Sequence, residues 1–268
     1  GLPREISNTS LRAGTRLDRS QVSNEGSSRT ETKLNGQVQI DTRLPNDWLI
    51  AGELGTAYRL PTLSELHFSG QTPRGTIRGN SLLAPEETIG SQVTLSRQSD
   101  NLEFELSVFY NRVENYIERM RAEDGSLTYQ NLRSGRIWGF DGEVSLGGTN
   151  QIKQRIKWQW QRGKADNGEF LDDLPPPEVS YTGTWHSVYF SVAVDLAYRF
   201  KRSDHGPSEV PLGSSFIGGA RITWDLSPHW SASLAVSNGF DRTYRVSADE
   251  DAPLANERAA HLTLRWTP

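Results

Sequence analysis

Apolar and polar residues alternate with a period of two along most of this chain, and that alternation commits it to β-strands with one apolar and one polar face. Leu102, Phe104, Leu106, Val108 and Tyr110 stand against Glu103, Glu105, Ser107 and Asn111. Val188, Phe190, Val192, Val194, Leu196, Tyr198 and Phe200 form the most apolar face, while Ile152, Ile156, Trp158 and Trp160 back onto Lys153, Arg155, Lys157, Gln159 and Gln161. The same pattern runs through Leu11 to Leu17, Leu34 to Ile40, Trp48 to Leu54, Ile89 to Leu95, Val179 to Trp185, Phe216 to Leu226, Trp230 to Val236 and Leu262 to Trp266. The pattern predicts about twelve antiparallel strands, an even number, the first starting just after residue 8.

Between the strands, long and short connections take turns. The long ones cover 20–31, 59–85, 114–133, 162–175, 201–213 and 239–256, and the short ones 44–47, 99–101, 148–150, 186–187 and 227–229. The spacing predicts a Ser- and Gly-bearing loop from Ser20 to Thr30. It also predicts a small hairpin within 114–133, turning at Glu123-Asp124-Gly125. Up-and-down barrels of outer membranes have this asymmetry, with long loops outside and short turns on the periplasmic side.

Alternation alone leaves open which face points outward, because a soluble barrel would turn the same residues inward. The aromatic residues decide it. Trp48, Trp185, Trp224, Trp230 and Trp266 lie beside short turns or the C-terminus, whereas Tyr58, Tyr110, Trp160, Tyr198 and Phe200 lie near long loops. A soluble core has no reason to collect tryptophan at strand ends, but the headgroup levels of a bilayer do. The polar face, with Arg12, Arg16, Glu103, Glu105, Lys153, Arg155, Lys157, Asp195 and Arg221, then lines a wet lumen.

Composition agrees once that geometry is allowed for. The chain has 268 residues, a net charge of -4 and a mean hydropathy of -0.61, which would pass for a soluble protein. A transmembrane strand meets lipid only at every second residue, so a low average is what a barrel gives. No apolar run reaches helix-spanning length. The absence of cysteine removes disulfides, thiol catalysis and Cys-ligated metals, and the charge gives no basic footprint for nucleic acid. Gly1-Leu2-Pro3-Arg4-Glu5 lacks the charged start and apolar core of a signal peptide, so the chain is expected to be a piece of a longer protein. Barrels commonly close on an aromatic residue; here Trp266 is in phase, followed by Thr267-Pro268.

Five phrases carry a family likeness. Tyr58-Arg59-Leu60-Pro61-Thr62-Leu63-Ser64-Glu65-Leu66 and Gly79-Asn80-Ser81-Leu82-Leu83-Ala84-Pro85-Glu86 together resemble the "FRAPTLSEL … GNPxLxPE" signature of TonB-dependent outer-membrane receptors, departing from it at Leu60 and Ser81. Arg136 to Glu143 is similar to the strand that follows in that family, Pro175-Pro176-Pro177 to its "iPPxr" strand entry, and Asn238 to Tyr244 to its "NLFDkxY" phrase.

The resemblance implies an all-β, antiparallel up-and-down transmembrane β-barrel. Residues 1–268 would form one partial barrel domain, the C-terminal half of a barrel of about 22 strands, with the plug domain outside this chain. It further implies a bacterial outer-membrane receptor that takes up a scarce small molecule such as a ferric siderophore, haem or cobalamin. TonB would act through the absent plug, and outer-membrane lipid would surround the barrel. The alternative is a passive porin or barrel scaffold without energised transport.

Nothing in the sequence reads as an enzyme, a resident cofactor site or a metal site. There are five histidines but no nucleophile elbow, His-Glu-x-x-His helix or phosphate loop. Asp204-His205 reads as solvated loop surface. The candidate ligand-binding residues lie between the two signature phrases: His67, Phe68, Arg74 and Arg78. Haem-importing relatives carry an iron-ligating histidine in this region, and His67 is either such a ligand or a plain loop histidine. Arg74 and Arg78 suit an anionic chelate through charge-assisted hydrogen bonds, or form a solvated loop face.

Overall fold

The structure is a computed structural model and describes residues 8–24, 27–72, 75–132, 134–149, 151–249 and 252–267. Strands β1 (Thr9–Asn24), β2 (Ser27–Arg43) and β3 (Trp48–Arg59) come first. A one-turn helix α1 (Leu63–His67) and the short strands β4 (Ser69–Thr72) and β5 (Gly75–Arg78) follow. Next are β6 (Glu86–Ser99), β7 (Leu102–Glu114), the short pair β8 (Ile117–Arg121) and β9 (Leu127–Asn131), β10 (Ser134–Thr149) and β11 (Ile152–Ala165). The chain closes with β12 (Glu178–His186), β13 (Phe190–Arg199), β14 (Ser215–Ser227), β15 (Trp230–Ser237) and β16 (Ala259–Trp266).

Twelve of these strands pair in the order β1-β2-β3-β6-β7-β10-β11-β12-β13-β14-β15-β16, so each long strand neighbours the next one along the chain. The other four form a separate sheet, β4-β5-β9-β8. The strand number, the up-and-down order and the first strand at Thr9 agree with the sequence pattern. The chain divides into two compact units, one of residues 1–95, 108–138 and 163–171, the other of 96–107, 139–162 and 172–268.

In the first unit, register stacks the apolar alternation into rows. Leu11 faces Ile40, Leu17 faces Leu34, and Val38 lies opposite both Ala13 and Leu54. These side chains are uncovered: Leu11 and Leu34 are both 70% exposed. The turn from β2 to β3 is tight because Asn46 and Asp47 both adopt left-handed φ (61° and 64°) and the Leu44 N–H donates to the Trp48 carbonyl at 2.8 Å. Asn and Asp tolerate that conformation, which lets so short a connection reverse the chain.

In the second unit the rows run across six strands. Ile152, Trp185, Val192, Ile222, Leu234 and Leu262 are successive cross-strand partners, as are Trp158, Val179, Tyr198 and Phe216 nearer the long connections. Aromatic residues gather at both strand ends. Trp185 meets Phe190 edge-on at 5.1 Å and Trp230 is paired with Trp266 at the short-turn end. Tyr198 packs on Phe200 at 4.8 Å and Phe216 on Phe240 at 5.0 Å at the other end. These are the two aromatic belts expected from the sequence.

Buried apolar residues do not lie under the strand faces of the large sheet. Among the described residues they collect in the long connections and strand ends: Leu66, Leu83 and Ile117 in one cluster, and Leu171, Leu212 and Ala248 elsewhere. A water-soluble sheet inverts this arrangement, because leaving whole apolar faces uncovered in water invites association. With lipid as the outer solvent, uncovered apolar faces and a backbone fully paired across strands are both required.

Two expectations need correction. Residues 20–24 and 27–31 are strand, not loop: β1 and β2 stay in register as far as Asn24 opposite Ser27, and the rest of the expected loop lies outside the described residues. The extension is packed, since Val22 lies against the Leu66, Leu83 and Ile117 cluster and Arg29 donates to the Leu83 carbonyl. At 186–187 the strand persists through His186 and the turn falls at 187–189, closed by the Ser187 N–H to the Phe190 carbonyl. Val188 and Tyr189 are therefore turn residues, 81% and 72% exposed, and not part of β13.

Candidate ligand-capture site

The first signature phrase makes α1 and fixes its start. Thr62 caps the helix through a reciprocal box: its hydroxyl accepts from the Glu65 N–H at 3.2 Å and its own N–H donates to the Glu65 carboxylate at 2.6 Å. The second phrase docks on the helix from below. The Asn80 N–H donates to the Glu65 carbonyl at 2.7 Å, and a Cβ on Gly79 would lie 2.7 Å from the His67 nitrogen, so only glycine allows this approach.

Arg59, the last residue of β3, joins the two phrases. Its guanidinium donates to both oxygens of Glu86 at 2.7 and 2.8 Å and to both oxygens of Glu65 at 3.0 and 3.1 Å. Glu86 also accepts the Ile117 N–H at 2.8 Å, reaching the base of β8. From the same stretch the Asn80 side chain donates to the Tyr129 carbonyl at 2.9 Å. The Asn131 amide accepts from the Ala84 N–H at 2.7 Å and donates to the Asn115 carbonyl at 2.6 Å. The predicted hairpin is present, with Gly125 at φ 81° and the Ala122 N–H donating to the Ser126 carbonyl at 2.7 Å. Its β9 pairs in parallel with β5, at Ile77 opposite Leu127. Sequence reasoning did not foresee that pairing, because strands of four or five residues carry too little alternation to show a partner.

The sequence-derived candidates separate on this platform. His67 ends α1, half-buried, and among the described residues no side-chain hydrogen bond engages its imidazole. Phe68 follows it, 42% exposed. Arg78, at the end of β5, is exposed and pairs with Asp124 at 3.0 Å. The Ser126 hydroxyl and N–H, with Arg78 adding to them, hold the Asp124 carboxyl below its usual range. Arg74 lies outside the described residues. The structure thus places His67 in the last turn of α1 and Phe68 at its extended C-cap, and gives Arg78 a carboxylate partner of its own.

The second unit holds a buried charged cluster in its long connections that the sequence did not announce. Arg202 donates to Glu209 at 2.7 Å and to the Asp204 carbonyl at 2.8 Å, and also to the Leu174 carbonyl. Glu209 accepts the N–H of Asp173 at 2.8 Å and of Gly206 at 3.2 Å, and Asp172 accepts the Ser208 hydroxyl at 2.6 Å. Burial pushes the Glu209 carboxyl up, against the pull of Arg202. The Val210 N–H donates to the Ala248 carbonyl at 2.7 Å, so segments 172–174, 202–212 and 248–249 are laced together. Asp204-His205 belongs to this lacing and is not solvated surface: both residues are half-buried, Asp204 pairs with Arg162, and the His205 ring contacts the Gly206 carbonyl at 3.0 Å.

On the polar face of the same unit, Glu143 bridges Arg155 and Lys157, each at 2.9 Å, as charges facing a watery space require. Among the described residues, no group of three or more His, Asp or Glu side chains is arranged to hold a metal.

Comparison with known proteins places this geometry. The model of a family described as TonB dependent receptor-like, beta-barrel matches residues 5–238. A hemin receptor of Yersinia enterocolitica is 28% identical over 206 residues, covering 65% of this chain and 29% of the receptor. Among solved structures, the copper transporter OprC superposes with a TM-score of 0.80 at 18% identity, over 97% of this chain and 46% of its own. The ferripyoverdine receptor of the Pseudomonas aeruginosa outer membrane superposes with a TM-score of 0.75 at 15% identity, over 97% of this chain and 36% of its own. This chain spans less than half the length of each of these relatives. With its exposed apolar rows, paired aromatic belts and twelve up-and-down strands, the chain belongs to the TonB-dependent receptor-like β-barrel family, whose barrels reside in the bacterial outer membrane.

Proposed function

We propose that this chain is the barrel part of a receptor that captures a scarce iron compound, haem or an anionic ferric chelate, on the platform built by residues 59–86, for import energised by TonB through a plug domain outside this chain. The observation that carries the reading is the order of that platform. Its two phrases are locked by Arg59, capped by Thr62 and leave His67, Phe68 and the Asp124-paired Arg78 at or near the surface. A loop kept ordered and polar at its base but open at its tip is what a ligand-meeting surface needs. An iron compound is favoured because matched proteins include a hemin receptor and ferric siderophore receptors. Haem is favoured among iron compounds because the half-buried imidazole of His67 has no side-chain hydrogen bond among the described residues and is followed in the chain by the exposed Phe68, an apolar side chain suited to a flat macrocycle.

Deleting residues 69–77 in the full-length protein is expected to abolish haemin-supported growth while leaving barrel assembly intact, because the long strands keep their pairing. Haemin-supported growth and heat-modifiable gel mobility read the two effects separately. His67→Ala alone is expected to remove haemin use selectively. Unchanged growth on haemin in both variants would assign capture to another surface.

A further inference from the structure

The two acids of the signature phrases offer almost no surface to a ligand. Glu65 and Glu86 keep only 15% and 12% of their side-chain surface, and each is committed to Arg59 on one side and to a backbone N–H on the other. What those bonds do is mechanical. Arg59 ends a long strand, Glu65 lies in α1, and Glu86 opens the next long strand while holding the Ile117 N–H at the base of β8. Asn80 and Asn131 then tie the 60–85 excursion to the 115–131 excursion through Tyr129 and Ala84, and β5 pairs with β9. The two excursions share one small apolar core of Leu66, Leu83 and Ile117.

We propose that excursions 60–85 and 115–131 are a single rigid capture element, clasped to the strand ends by Arg59. Arg59 is a positioning residue: it meets no ligand, but sets where His67 and Phe68 stand. This inference rests on the capture reading above and assigns to 115–131, a segment without candidate residues, half of the element that moves or holds still as ligand arrives. The guanidinium meets Glu86 through two parallel N–H bonds from Nε and Nη2 and Glu65 through Nη1, a charge-assisted joint whose planar fork cannot be copied by lysine. The cross-link from Arg78 to Asp124 is exposed, 60% and 48% at the two side chains, and so contributes less to positioning than the more covered joint at Arg59.

This chain has no cysteine of its own, so spin labels within it can be placed at introduced cysteines, any cysteine elsewhere in the full-length protein being replaced first. In the full-length protein, labels at Gln71→Cys and Glu123→Cys report the distance between the excursions. Each paired with Val93→Cys on β6 reports its distance to the sheet. Electron paramagnetic resonance is expected to show narrow distributions for all three pairs in the parent. In Arg59→Gln, both excursion-to-sheet distributions broaden while the excursion-to-excursion distribution stays narrow, and Arg59→Lys behaves like Arg59→Gln. Glu86→Gln, which keeps size and hydrogen bonding, gives the same pattern in milder form. With haemin as probe, the half-saturating concentration for uptake rises about tenfold in Arg59→Gln, equal to about 1.4 kcal/mol, with little change in maximal rate. Broadening of the excursion-to-excursion pair to the same degree would show two independent loops and overturn the proposal. So would unchanged distributions in both Arg59→Gln and Glu86→Gln. The label readout needs no ligand, so absence of haemin uptake in the parent would count against the capture reading alone.

Discussion

At the scale of single residues, the contrast between Arg202 and Arg78 shows how the same chemistry serves two purposes. Arg202 and Glu209 retain only 8% and 3% of their side-chain surface, whereas Arg78 and Asp124 retain 60% and 48%. Removing one partner of a buried pair strands the other as an uncompensated charge, while an exposed pair is screened by water and costs little to break. Arg202→Met is therefore expected to destabilise the laced segments 172–174, 202–212 and 248–249 by about 3–5 kcal/mol. Arg78→Ala should cost at most about 1 kcal/mol. Protease cleavage within 202–212, at fixed temperature, checks the difference: it should accelerate sharply in the first variant and hardly at all in the second. Asp124 adds a dependence on acidity. Its folded carboxyl is held below the ordinary range, so its support for the β8–β9 turn is present at neutral pH and is lost as pH falls through that depressed value. Exchange of the Ser126 amide, which donates to Asp124 at 3.0 Å, should quicken in acid.

At the scale of elements, each long strand has two faces with different solvents, and substitutions should obey that division. Val194 lies in the row between Gly183 and Ala220, while Arg155 on the opposite face is paired with Glu143. Val194→Arg in the full-length barrel is expected to cost about 2–4 kcal/mol, the penalty for charge at mid-membrane, and Arg155→Gln far less. Heat-modifiable mobility on gels would show the faces reversed if the two substitutions reduced folded barrel equally. Both faces, the strand count and the aromatic belts were legible in the sequence because period-two alternation over eight or more residues is a strong signal, and tryptophan at strand ends has few other causes. The strand extensions through 20–24 and 27–31 were not legible. Ser23, Asn24, Ser27 and Ser28 look like loop residues, and what keeps them extended is packing of Val22 and Arg29 against a loop distant in sequence. The phrases around Arg59 and Glu86 were visible, but their joint was not, since nothing local says that two acids 21 residues apart share one guanidinium. The Arg202 cluster was hidden for the same reason: Asp204-His205 looks solvated until Arg162 and segment 172–174 are brought to it.

At the scale of the molecule, the chain has the strand order, exposed apolar rows and long-short connection rhythm of its family, and it spans under half the length of the relatives it matches. Its sheet supplies a wet polar face and a lipid-facing one; its long connections supply two laced clusters, one around Arg59 and one around Arg202. Specific, energised uptake, as distinct from passive diffusion through a pore, is the claim on which the functional account turns. The most direct measurement is the initial rate of uptake of radiolabelled haemin by cells producing the full-length protein, as a function of haemin concentration, with and without TonB. The account predicts a saturable rate that vanishes without TonB and falls when residues 69–77 are removed. A rate that rises linearly with concentration and is the same in cells lacking TonB would contradict it, and would make the chain part of a passive pore.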